Sequence, residues 1–89
     1  MYDNVDYVLA AYFGSAAASS EEEAVAYLLE SVRGSDVLAS TLKVEVEQAL
    51  HDDGYSWKSV FEKYEIAFFD SEEKARSHAR HILWDSLFV

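Results

Sequence analysis

The side chains best suited to chemistry cluster near the end of the chain, as His78-x-x-His81 with Asp85 four residues further on. On a helix this spacing sets three ligands on neighbouring turns, and zinc takes imidazole and carboxylate at such spacings. Their setting argues against it. Arg76 and Arg80 flank the pair with positive charge, no HExxH motif is present, and the remaining histidine, His51, falls in a turn. The same histidines with Glu65 could be imagined as the acid and base of a hydrolase or nuclease. Such chemistry needs an acid, a base and an electrostatic stabiliser converging in a cleft, and nothing in the spacing requires that convergence. A nuclease would also bring phosphate against a formal net charge of −10. The expectation is a solvated helix surface here, with no enzyme activity, no metal and no cofactor.

Asp85-Ser86-Leu87 matches the tripeptide that carries phosphopantetheine in acyl carrier proteins, which are also small, acidic and helical. There the serine opens a recognition helix in mid-chain. Here it closes the last helix, three residues from the final position, so the match reads as a coincidence of common residues.

The elements that would position such groups are helices. Proline is absent and glycine occurs only as Gly14, Gly34 and Gly54, which favours helices joined by short turns. Val5, Val8, Leu9, Tyr12 and Phe13 form one apolar face over 4–13, with Asp3 or Asn4 as cap and Gly14 as stop. Residues 14–19 read as a small-residue loop. Ser20 and Glu23 form a capping box, Val25, Leu28, Leu29 and Val32 continue the stripe, and Gly34 suits a left-handed stop. Ser35 caps a third helix carrying Leu38, Leu42, Val46 and Leu50. Within it, 42–47 also alternates like a strand, but the longer four-residue repeat favours helix. After a turn at 51–54, Ser56 caps a short helix with Trp57, Val60, Phe61 and Tyr64. The apolar run 66–69 reads as an extension of that helix or a buried extended segment. Asp70 with Glu73 forms a further capping box before a last helix bearing Ala75, Ala79, Ile82, Leu83 and Leu87, with Trp84 and Phe88 packing near Trp57.

With 89 residues and 51% hydrophobic content, the chain is expected to form one domain, a compact all-α bundle of four to five helices over 1–89. It has no cysteine, no apolar run of about 20 residues and no basic N-terminal flank, which excludes a disulfide framework and points to a cytoplasmic protein without signal peptide or membrane span.

Charge is distributed unevenly. Residues 1–53 hold eleven acids and two bases, whereas residues 54–89 hold six acids and five bases. Such a field speeds encounter with a basic partner and repels nucleic acid and anionic membrane. Glu21, Glu22, Glu30, Asp36, Glu45, Glu47, Asp52 and Asp53 lie off the apolar stripes, as do Asp3 and Asp6. Tyr2, Tyr7, Tyr27 and Tyr55 fall at their edges, where tyrosine either completes a core or anchors a partner rich in lysine and arginine. The first set of acids together with Tyr27 is the expected binding surface, and the apolar C-terminal third is the expected packing half.

Tyr7-Val8-Leu9-Ala10-Ala11-Tyr12-Phe13, Glu22-Glu23-Ala24-Val25-Ala26-Tyr27-Leu28-Leu29 and Leu42-Lys43-Val44-Glu45-Val46-Glu47-Gln48-Ala49-Leu50 resemble the small helical immunity proteins of bacterial contact-dependent growth inhibition systems. The Leu42–Leu50 segment also resembles part of the colicin D immunity protein. The likeness covers about half of the chain. It implies a monomeric cytosolic antidote that binds a basic toxin nuclease domain, often a tRNase, in a 1:1 complex and blocks its active site. The alternative reading is an acidic nucleic-acid mimic or regulatory adaptor directed at a host nucleic-acid-binding protein.

Overall fold

The computed structural model describes residues 2–14 and 20–88, so all of the loop expected at 14–19 except Gly14 lies outside the described residues. The described chain is all-α. Helix α1 (Asp3–Val8) continues as a π-helical turn (Leu9–Phe13), followed by α2 (Glu21–Arg33), α3 (Asp36–Leu50) and α4 (Trp57–Lys63). Helix α5 (Glu72–Arg80) runs through a second π-helical turn (His81–Asp85) into a final turn, Ser86–Phe88.

A serine starts each helix after the first. The hydroxyls of Ser20, Ser35, Ser56 and Ser71 accept the N–H of the residue three positions on, at 3.1–3.2 Å. Each satisfies an otherwise orphaned donor and contributes about 1 kcal/mol. The last of these corrects the sequence reading, which placed a capping box at Asp70 and Glu73. Asp70 stands one residue too early and instead lies 3.5 Å from Lys74 Nζ. Helix α1 differs again. Neither Asp3 nor Asn4 caps it; Tyr2 occupies the cap position without a side-chain bond.

Helix α3 is the centre of the bundle, lying against α1, α2 and α5. The ambiguous 42–47 segment is helical throughout, with Leu42, Val46 and Ala49 buried in the core. Around them pack Val5, Val8, Leu9, Leu28, Trp57, Phe61, Ile82 and Leu83, all at most 1% exposed. The apolar stripes therefore meet as their spacing requires.

Two turns depart from expectation. Gly34 ends α2 with φ −84°, right-handed rather than left-handed, so its lack of a side chain is not what stops the helix. The left-handed residue is Glu65, with φ 56°. It ends α4 in a Schellman arrangement, Ile66 N–H to Phe61 C=O at 2.9 Å and Glu65 N–H to Glu62 C=O at 3.1 Å. The chain thus leaves the helix, so 66–69 is not a helical extension; it is non-helical and half-buried, with Ile66 and Phe69 packed against the core and Phe68 74% exposed. Trp84 also sits elsewhere than expected. It packs beside Phe88, 5.6 Å between rings, and under Lys43, while Trp57 stacks between Tyr55 and Phe61.

Candidate interaction surface

The acids of the first 53 residues separate into those that hold the fold together and those that face outward. Glu45 belongs to the first group. From α3 its Oε1 accepts the N–H of Asn4 at 2.9 Å and of Val5 at 3.3 Å, and its Oε2 accepts from the Asn4 side chain. A carboxylate forty residues away thus does the capping that α1 lacks locally, where its charge also meets the positive helix end.

Asp52 and Asp6 are tied to tyrosines. Tyr2 Oη donates to Asp52 Oδ2 at 2.7 Å, and the Gly54 N–H donates to the other oxygen at 2.8 Å. These bonds hold the Asp52 carboxyl below its ordinary value, the Tyr2 bond most strongly. Tyr55 Oη donates to Asp6 Oδ1 at 3.0 Å; burial, and then this bond, push the Tyr55 phenol far up. Tyr2 and Tyr55 meet edge to face at 5.0 Å, and Tyr55 meets Trp57 at 4.9 Å. Of the four edge tyrosines, these two complete the core, whereas Tyr7 (61%) and Tyr27 (51%) are exposed.

Glu21 and Asp53 make contacts across helices. Glu21 Oε2 lies 2.6 Å from His78 Nε2, joining the start of α2 to α5, and Asp53 lies 3.4 Å from Arg76. His78 is thereby engaged with Glu21 and stacked near Phe69 at 5.3 Å. Among the described residues, no three His, Asp or Glu side chains converge to hold a metal ion. Nor does Glu65 join His78 and His81: it lines a separate hollow with Phe13, Ser20 and Glu21.

Glu22, Glu30, Asp36 and Glu47 remain. All four are exposed, and none makes a hydrogen bond or ion pair among the described residues. Glu30 lies on the same face of α2 as Tyr27, whose hydroxyl donates to Glu23 at 3.1 Å, one turn back. That bond raises the Tyr27 phenol above its ordinary value. On α3, Asp36 and Glu47 are three turns apart and share a face. Val37 and Val44 stand beside them, 77% and 56% exposed, two apolar side chains that the sequence stripes did not single out. Of the nine residues expected to form the binding surface, the structure thus sets Glu22, Tyr27, Glu30, Asp36 and Glu47 outward and gives Glu21, Glu45, Asp52 and Asp53 partners within the fold.

No family model, curated protein or solved structure matches this chain. The outward set is therefore interpreted from its own chemistry. It offers carboxylates, one phenol and small apolar side chains on two consecutive helices, which suits contact with a cationic protein surface. None of the described helices is long and apolar enough to cross a membrane.

Proposed function

We propose that this chain is an immunity-type antidote, a cytoplasmic acidic module that binds a basic toxin nuclease domain and covers its active site. One observation carries the reading: Glu22, Glu30, Asp36 and Glu47 stand exposed on α2 and α3 without a hydrogen bond or ion pair among the described residues, and Tyr27 on α2 is exposed as well. Carboxylates needed for the fold are bonded within it, so these four are available to lysines and arginines that a nuclease uses for phosphate. Opposite charge accelerates the encounter, and exposed anchors such as Tyr27, which the partner would cover, slow the release. The likeness of the 7–13, 22–29 and 42–50 segments to small immunity proteins of contact-dependent growth inhibition systems supports the same reading. A nucleic-acid mimic would space its charges along an elongated body, whereas this molecule measures 35 × 28 × 22 Å.

The experiment is to search the genes beside this one for a nuclease-toxin domain and to co-express the chain with it. Restored growth and a 1:1 complex on gel filtration are expected. Continued growth arrest with no complex would overturn the proposal.

A further inference from the structure

We propose that the notch between the end of α3 and α5 is a binding site for a small carboxylate carried on an apolar stem. The inference does not depend on the antidote reading. It starts from the distribution of positive charge in a chain with seven lysines and arginines against seventeen acids. Three of the seven gather about Trp84. Arg76 and Arg80, one turn apart on α5, line a notch of about 160 Å³ with Trp84, Leu50 and His51, and Lys43 Nζ lies 6.0 Å from the centre of the indole ring.

These cations are less committed than the others on the same half of the chain. Lys58 and Lys74 pair with acids one turn away, at 2.9 and 3.5 Å, and Lys63 lies 5.2 Å over the Tyr64 ring. Arg80, in contrast, is exposed and makes no hydrogen bond or ion pair among the described residues. Arg76, whose side chain is 35% exposed, has one long contact among the described residues, 3.4 Å to an Asp53 side chain that is 96% exposed.

The chemistry of the walls defines the occupant. Guanidinium forks match a carboxylate through paired hydrogen bonds, and their charge is weakly hydrated enough to work in a partly closed site. Trp84 and Leu50 offer flat and aliphatic surface to an apolar stem. Glu47 also lines the notch and opposes a high negative charge there. With a net charge of −10 over the whole chain, a polyanion is repelled at a distance, whereas one carboxylate on an apolar stem is repelled least. The volume admits a small molecule and no folded segment.

The test is an NMR titration of the full chain with 3-phenylpropionate, its neutral amide and inorganic phosphate. The carboxylate is expected to shift the Trp84 indole N–H and the Arg80 Nε–H saturably, leaving the enclosed Trp57 indole unmoved. Arg80→Gln, at an exposed side chain without a partner, should keep the native spectrum and weaken binding about tenfold. Absence of a saturable shift at Trp84, equal binding of the amide or of phosphate, or unaltered affinity in Arg80→Gln would each overturn the assignment.

Discussion

At Tyr2 and Tyr55, phenols donate to carboxylates 50 and 49 residues away in sequence, and both bonds lie at the margin of the core. Such pairs change how stability responds to pH. Because folding lowers the Asp52 pKa below its ordinary 3.8, the folded protein takes up this proton less readily than the unfolded chain. The stabilisation is complete at neutral pH and disappears as pH falls below about 4. Asp52→Asn should therefore lower Tm at neutral pH, and the gap from the parent should hold down to about pH 5 and narrow as pH falls through about 4 and below. A series of thermal melts across that range is the check, and a constant gap would show that Asp52 acts through something other than its charge. The acid composition was legible in the sequence, but these destinations were not. Spacing along a helix tells which face a carboxylate occupies, and carries no information on a hydroxyl arriving from the other end of the chain.

Among the elements, α1 depends on α3 for its start. Glu45→Gln removes the charge that caps it and should cost about 1–2 kcal/mol in denaturant unfolding, with the loss of protection concentrated in α1. At the other helix boundary, Glu65 holds a left-handed conformation that glycine adopts freely, whereas an L side chain loses roughly 1 kcal/mol there. Glu65→Gly should accordingly raise Tm, a result that calorimetry can read directly. The helices themselves were legible because serine caps and four-residue apolar spacing act locally: Ser20, Ser35 and Ser56 begin the helices predicted for them, and the Leu38–Leu50 repeat outweighed its strand-like stretch. Their boundaries were less so. Ser71 caps in place of Asp70 because the helix starts where the Lys74 N–H can reach a side chain, and α2 stops at Gly34 without any left-handed turn. Gly14 illustrates a requirement that only packing reveals, since a Cβ there would come within 2.6 Å of the Ala10 carbonyl oxygen. The Ile66–Phe69 run was legible in part: Ile66 and Phe69 pack against the core as their apolar character suggests, whereas Phe68 faces out. Once Glu65 turns the chain out of α4, Phe68 has no core to enter.

For the whole molecule, the uneven charge keeps its meaning in a narrower form. Part of the acid in the first 53 residues builds the fold, through Glu45, Asp6 and Asp52 above all. The outward remainder on α2 and α3 is the surface proposed to meet a basic partner, while Arg76, Arg80 and Lys43 form a region of opposite sign around Trp84. The all-α architecture and the core followed from sequence patterns. The division of acids into structural and outward sets required the fold, because it depends on which side chains the bundle brings within hydrogen-bonding distance. The most direct measurement is the association rate of a toxin domain, one that the chain neutralises on co-expression, with the parent chain and with a variant carrying Lys at Glu22, Glu30, Asp36 and Glu47, followed by stopped flow at low and high salt. We predict that the variant associates at least about tenfold more slowly at low salt and that the difference shrinks as salt is added. Equal association rates for the two proteins at low salt would contradict the account.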